Sequence, residues 1–593
     1  MVGEPSAPAA SCDWKRPALI GWAALMALLW FVWGSKVAPL AFSDPDDQLR
    51  LIQVRDLLAG QGWWDLVQRR IDPPQGVLMH WSRLVDLPIA ATILLLKPFL
   101  GAHGAEVAAI AIIPALTALC AVLLLARLAS RLVSRPALIA ALIALLVALP
   151  LIVQLRPTRI DHHGWQVVAL LAALGGLFAR DPRRGGLVSG LALAAWLSIS
   201  MEGLPLAAAL FAVMALRWLR DPQEGPRFVA AIQALALGSL ALAFVSRNPL
   251  DLATYCDSIS PMHLAVFAWC GFATTVLARL PLSPLRVLAG LGAIGAGGLA
   301  IMLAWAPECT AGGFGALGPE LERLWYREVI EGQPVWHNRL PVTLQFVVPS
   351  LAGLLAAAAF AWRSTGEERL RWTDFTLVLL ACVASGLLVS RTSAYGAALA
   401  VIPLGAAFVA AHRAVRARAS AAGRLTGLLA LAASTVLVLA PAVPVFAIAN
   451  LRGEGQRYAG EAQLASCRFD PALPALRALP RGRIFAHLNI GPQLMLFTDH
   501  SVTATAHHRA PAAMLDVFQT LLGSPEAAQA VMERREIDYV VLCPGLPEID
   551  RVVREAPDGL AARLRDGKTP DWLEPIALPA ETGIRAWRVK RQG

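Results

Sequence analysis

Three carboxylates stand together in Ser43-Asp44-Pro45-Asp46-Asp47-Gln48-Leu49-Arg50, directly after the first long apolar segment of the chain. Much further on, Arg159-Ile160-Asp161-His162-His163-Gly164-Trp165 interrupts another apolar run. Glu331 lies later still, in the polar stretch Arg327-Glu328-Val329-Ile330-Glu331-Gly332-Gln333-Pro334. A positioned carboxylate does general acid–base work. Asp, Glu and His are also ligands for a divalent cation, and Asp161 with His163 can share one. Arg391 ends a further apolar run, where a guanidinium calls for an anionic partner such as a phosphate.

Each of these has a plainer reading. Aspartate ahead of an apolar-periodic run is a good helix N-cap, which covers Asp46 and Asp47 before the helical-looking stretch 48–58. Asp44 differs, because it follows the apolar segment directly and Pro45 fixes its backbone. A glutamate in a loop is ordinarily solvated, and Glu202, in the tight turn Ser200-Met201-Glu202-Gly203-Leu204-Pro205, reads as structural. Asp-His-His beside Arg156 and Arg159 is another matter: so many costly polar groups at the edge of an apolar run read as a site. His507-His508-Arg509 reads equally as a phosphate or acceptor contact and as surface.

The elements that must position these residues follow from composition. The chain has 593 residues, 56% hydrophobic and 16% charged, with a mean hydropathy of +0.56. Such a chain is a polytopic α-helical membrane protein. Apolar stretches long enough to cross a hydrocarbon core of about 30 Å are expected at 17–38, 106–126, 136–154, 164–179, 185–200, 204–219, 228–246, 262–279, 287–306, 342–362, 373–390, 394–412 and 425–449. The first has no cleavage site and reads as a retained helix rather than a signal peptide. The net charge of +10 is concentrated in short connections such as those holding Arg127, Arg131 and Arg135, or Arg413, Arg416 and Arg418. Its cause is topological, and nucleic acid is not the expected partner. By the positive-inside rule these connections are cytoplasmic. Thirteen spans then place the amino terminus inside and the carboxyl-terminal region outside.

Two long outer loops result, 43–104 and 307–341, within a membrane domain covering 1–449. The apolar stretch 87–100 of the first loop, bracketed by Pro88 and Gly101, is an interfacial helix or a re-entrant segment. Residues 450–593 read as a soluble α/β domain, with strands at 483–486, 493–497, 538–542 and 584–589 and helices at 512–522 and 525–535. Most of the eight cysteines are expected within spans as small apolar residues. Cys467 and Cys543 share the outer domain, where an oxidising compartment allows them to pair.

The motifs carry a resemblance. Asp44-Pro45-Asp46-Asp47-Gln48-Leu49-Arg50 resembles the Asp-Pro-x-x-x-x-Arg first-loop motif of the catalytic subunit of oligosaccharyltransferases. Asp161-His162-His163 is similar to the Asp-His-His form of that family's second acidic motif. Glu328-Val329-Ile330-Glu331-Gly332-Gln333-Pro334 resembles its fifth outer-loop motif. The resemblance implies a GT-C membrane glycosyltransferase with a carboxyl-terminal soluble domain, in which Asp44, Asp161, His163 and Glu331 are metal ligands, Asp44 and Glu331 are catalytic, and the metal is divalent, Mg or Mn. Arg391 would contact the lipid phosphate of the donor, and Arg50, Arg159, His162 and Gln333 the substrate. The family's Trp-Trp-Asp-x-Gly acceptor motif does not occur after Asn450, and Trp63-Trp64-Asp65 lies in another loop without the glycine.

The expected activity is transfer of a sugar or oligosaccharide from a polyprenyl phosphate or pyrophosphate donor to a lipid, glycan or protein acceptor. The Arg-for-Lys bias points to a bacterial inner membrane with the site on its periplasmic face. A transporter or flippase for a lipid-linked glycan is the rival, together with a non-catalytic scaffold of the same fold. Transporters place charges near the membrane midplane, whereas these carboxylates gather at one face.

Overall fold

The structure, a computed structural model, describes residues 13–280, 283–451 and 467–591. It divides into two compact units: Met1–Ala41, Trp81–Gly315 and Val329–Arg452 form the first, and Phe42–His80, Ala316–Glu328 and Gly453–Gly593 the second. The two long loops expected outside the membrane are thus each shared between the units. The stretch 452–466, where the expected soluble domain begins, lies outside the described residues, as do 592–593.

The first unit is helical. Every one of the thirteen expected spans coincides with helix. Among the described residues nine helices are long and apolar enough to cross a membrane, and Arg135–Leu145 with Leu149–Leu155, bent by 70°, makes a tenth if the pair is one span. The difference from thirteen has a physical source. His163–Leu177 and Pro261–Leu277 have 15 and 17 residues, so the first spans only about 22 Å at 1.5 Å per residue. Pro182–Ile199 opens on Arg183 and Arg184. The chain is a multi-pass membrane protein. Arg83–Ala129 consists of two helices joined at Gly101 (φ 71°, ψ 177°), a conformation that glycine alone adopts readily. The expected 87–100 segment is the first of them.

Small residues let these helices approach closely, the usual solution where lipid removes the hydrophobic drive between helices. A methyl group on Gly186 would lie 2.2 Å from the Arg227 carbonyl oxygen, and one on Gly190 would lie 2.1 Å from that of Ala231. Pro182–Ile199 and Gly225–Ser246 therefore touch backbone to backbone. At one end of His163–Leu177 three arginines cap the helix carbonyls. Arg131 Nη1 donates to Gly175 O at 2.8 Å, Arg217 Nη1 to Leu177 O at 2.6 Å, and Arg227 Nη1 to Gly176 O at 2.6 Å. The positive charges sit where the helix dipole is negative. Cys256 and Cys309, from two connections between helices, form a disulfide, whereas most cysteines were expected inside spans.

The second unit is α/β. Residues 42–80 contribute a hairpin, β1 (Val67–Gln68) and β2 (Val77–Leu78). The main sheet uses β3 (Arg483–Ala486), β4 (Ser501–Val502), β5 (Tyr539–Leu542), β6 (Leu573–Ile576) and β7 (Arg585–Val589), in the order β4-β3-β5-β7-β6. β4, β3 and β5 are parallel, and β7 and β6 join antiparallel. The expected strand at 493–497 is instead part of helix Gly491–Phe497. A short apolar run does not distinguish strand from helix, and Pro492 sits at the first helical turn, where its fixed φ and missing N–H suit a helix start.

Ile71 extends the β4 edge by a parallel bridge to Val502. Arg70 Nη2 then donates to the carbonyls of Met495 at 2.9 Å, Thr498 at 2.5 Å and His500 at 2.7 Å, satisfying acceptors at and just beyond the end of Gly491–Phe497. Arg535 bridges Asp72 and Asp516, both at 2.6 Å. Cys467 and Cys543 form the second disulfide.

Candidate functional site

In the first unit the site is built on three helix ends. Leu149–Leu155 stops at Arg156, which is extended (φ −67°, ψ 155°), as a residue before proline must be. Thr158 follows at φ 73°, its N–H donating to Ile110 O at 3.1 Å. A β-branched residue in that region costs of order 1–3 kcal/mol and is typical of functional sites. The next turn delivers Asp161. Its Oδ1 accepts the His163 backbone N–H at 3.0 Å, and its Oδ2 pairs with Arg159 Nη2 at 2.9 Å and lies 3.6 Å from His163 Nε2. Arg159 Nε reaches Gln154 Oε1 at 3.2 Å. The Arg159 and Asp161 side chains are 2% and 1% exposed, so Arg159 acts on Asp161 rather than standing open to a ligand. The rings of His162 and His163 lie 4.3 Å apart, centroid to centroid.

The second helix end brings in a residue that motif reading set aside. Pro182–Ile199 ends at the extended Ser200, and the turn Met201–Gly203 follows. Glu202 on this turn was read as structural, yet its carboxylate, His162 and His163 place one ligand atom each within 4.8 Å of one another. The turn rests on Trp196, which is fully buried and meets the Tyr395 ring edge-on at 5.3 Å. A Cβ on Gly203 would lie 2.6 Å from the Trp196 ring. Gly203→Val is therefore expected to push the turn and Glu202 off the histidines, lowering activity more than an overpacking cost of about 1–3 kcal/mol in stability explains. Activity and thermal midpoint measured on the same preparation check this. An unchanged rate would show that the position of Glu202 is immaterial.

The third helix end carries Arg391. Gly366–Leu388 stops at Val389, and the turn Ser390–Thr392 opens helix Ser393–Arg416. Ser390 N–H donates to the Gln333 carbonyl at 2.9 Å, and Asn338 Nδ2 donates to Ser390 Oγ at 2.7 Å. The loop after Val329 is thereby tied to this turn, with Gln333 engaged through its backbone. Arg391 pairs with Glu331 Oε1 at 3.2 Å through Nη1 and with Glu202 through Nη2. Asp161, His162, His163, Glu202, Glu331 and Arg391 thus form one polar cluster from four separate connections.

In the second unit Asp44 is the N-cap of helix Pro45–Leu58. Its Oδ1 accepts the Asp46 N–H at 2.9 Å, and Pro45 is the first helical residue. The capping aspartate is Asp44, not Asp46 or Asp47, because proline at N1 puts the cap immediately before it. Asp47 and Arg50 are each 1% exposed. His507 Nε2 lies 2.9 Å from His80 Nδ1, and the His508 ring is 4.8 Å from that of His80. His80 carries no motif by which the sequence could single it out.

Two imidazoles and a carboxylate can ligate a divalent cation, so the His162–His163–Glu202 group fits one. Of the ligands expected from sequence, Asp161 and His163 lie together in the first unit, Glu331 is joined to them through Arg391 and Glu202, and Asp44 belongs to the second unit.

No family model matches the chain, and no curated protein matches it. Solved structures do. The chain is similar to the archaeal oligosaccharyltransferase AglB from Archaeoglobus fulgidus in complex with an inhibitory peptide and a dolichol-phosphate, at 13% identity and a TM-score of 0.65, over 95% of this chain and 73% of that one. The Archaeoglobus fulgidus oligosaccharyltransferase tethered to an acceptor peptide with the NVT sequon gives 14% identity and a TM-score of 0.61, over 98% and 74%. Its complex with Zn and sulfate gives 14% and 0.57, over 93% and 71%. At such identity the likeness is one of fold, and the fold is the GT-C membrane architecture of that oligosaccharyltransferase.

Proposed function

We propose that this chain is a membrane glycosyltransferase that moves a sugar or oligosaccharide from a polyprenyl phosphate or pyrophosphate donor to an acceptor on the periplasmic face of a bacterial inner membrane. The observation that carries the reading is Arg391 paired with Glu202 and Glu331 beside Asp161, His162 and His163. A guanidinium fork at a helix end, presented with carboxylates and imidazoles, suits a phosphate that departs while an acceptor is deprotonated.

Bond breaking between the anomeric carbon and phosphate leaves an anion that needs stabilisation more than a proton. Arg391 supplies fixed positive charge for it. Glu331 and Asp44 are the carboxylates assigned to orient and deprotonate the acceptor. A divalent cation, Mg or Mn, would be held by His163 with Asp161 beside it, and when bound it adds positive charge at the leaving phosphate. Arg159, paired with Asp161 Oδ2, holds that carboxylate in place. The structure similar to this one that was solved with Zn and sulfate supports a site for a cation and an oxyanion on this fold.

Sidedness is supported by the order of the connections. Those carrying Asp161, Glu202, Cys256, Glu331 and Arg391 alternate along the chain with those carrying the arginine clusters, and basic connections are cytoplasmic. Two disulfides, Cys256–Cys309 and Cys467–Cys543, fit an oxidising compartment for the site-bearing side. On this reading the amino terminus is cytoplasmic and residues 450–593 form a periplasmic domain.

The test is transfer of labelled sugar from a polyprenyl-linked donor pool by purified protein, with and without chelator. Asp44→Ala and Glu331→Ala are expected to abolish transfer, and chelator to suppress it. Donor binding without transfer by the wild type would turn the reading to a flippase or scaffold.

A further inference from the structure

Glu202 is in an unusual position for a structural residue. One oxygen engages Arg391, while Oε2 is buried and has no hydrogen-bond partner among the described residues. An orphaned buried acceptor is expensive, the more so when charged, and such groups mark a missing ion, water or ligand. The same carboxylate shares a 4.8 Å group with ring nitrogens of His162 and His163. Two histidines and one glutamate are a ligand set that leaves coordination positions open to substrate.

Arg391 adds the second half. It is a single cation between two carboxylates, Glu202 and Glu331, so the three side chains together carry one formal negative charge. An anionic phosphate approaching Arg391 meets that excess. A divalent cation on the histidines and Glu202 reverses its sign, and a phosphate that draws Arg391 away in turn leaves Glu202 to the cation.

We propose that Glu202 is a cation ligand held in reserve by Arg391, so that the divalent cation and the phosphate of the lipid donor strengthen each other's binding. This rests on the reading of Arg391 as the donor-phosphate contact. It adds a ligand outside the motif residues and a coupling that must be reciprocal, because both partners act through one exchange of ion pairs.

The test is Mn²⁺ titration of the purified full-length protein in detergent, followed by electron paramagnetic resonance, with and without farnesyl monophosphate and against a protein-free control. Farnesyl monophosphate is expected to tighten Mn²⁺ binding to the wild type about tenfold, within the usual range of such couplings. Glu202→Gln should weaken Mn²⁺ binding at least tenfold and abolish the coupling, as should His163→Ala. Arg391→Gln should bind Mn²⁺ more tightly than the wild type without phosphate and show no coupling. Glu202→Asp keeps a charge for Arg391 but withdraws the ligand oxygen by one methylene. It should stay folded and still lose Mn²⁺ affinity, which guards against a folding defect in the amide variant. Wild-type Mn²⁺ affinity in both Glu202 variants would overturn the proposal and leave Glu202 a counter-ion of Arg391. Mn²⁺ coupling in a wild type that transfers no sugar would instead retain Glu202 as a ligand and remove the glycosyl-transfer reading.

Discussion

Arg391→Ala is expected to lower sugar transfer by about 10²–10³-fold, the loss that follows removal of one preorganised donor at a centre of developing negative charge. The effect should appear mainly in the maximal rate, because the phosphate gains charge as the bond to sugar breaks, and interactions stronger in the transition state raise kcat. The side chain is 13% exposed and pairs with two carboxylates. Its removal therefore also takes the guanidinium away from both Glu202 and Glu331. Arg391→Lys separates the two consequences: it restores a charge but not the fork, so one carboxylate or one phosphate oxygen is met instead of two. Its rate should fall between those of wild type and alanine variant. Initial rates at saturating donor check this, and an alanine variant within threefold of wild type would exclude Arg391 from phosphate recognition.

Asp161→Ala is expected to be the most damaging substitution at the site for stability as well as activity. It removes the carboxylate that pairs at 2.9 Å with the Arg159 guanidinium, whose side chain is 2% exposed. Breaking a buried pair by removing one partner costs about 3–5 kcal/mol. It also deletes the acceptor for the His163 N–H and so loosens the start of helix His163–Leu177. Replacing both members, Arg159→Met with Asp161→Leu, removes the buried guanidinium as well and should recover most of the thermal stability, because apolar isosteres of a buried pair are close to neutral. Transfer should remain lost in the double variant. Recovery of both properties together would make the pair purely structural.

How far the sequence reached differs by element. Thirteen apolar stretches were legible as helices because a membrane demands long apolar runs whose backbone groups bond internally. In the second unit, 483–486 and 538–542 read correctly as strands, since β-branched and aromatic runs between turn signals favour them. The 493–497 run was misread because a short run with four consecutive apolar residues satisfies either period, and the decisive signal, Pro492 at a helix start, is a single residue. The two-unit division was not legible either. Residues 42–80 and 316–328 group with the carboxyl-terminal sheet through pairings such as Ile71 with Val502, and nothing local announces a pairing between residues more than 400 positions apart.

Of the site, Asp161, His162, His163 and Arg391 stood out because each is a costly polar group beside an apolar run, and Glu331 because its loop resembles a family motif. Their types and places were determined by the sequence alone, as were the membrane class and the alternation of basic and site-bearing connections. Which of them meet was decided by tertiary structure. Glu202 looked like a turn residue, and only the packing of Met201–Gly203 on Trp196 brings it to the histidines and to Arg391. The Arg159–Asp161 pair and the tie between Gln333 and Ser390 are likewise products of the fold. Residue chemistry and hydropathy are written locally, whereas ion pairs and ligand groups depend on distances between segments that only helix packing sets.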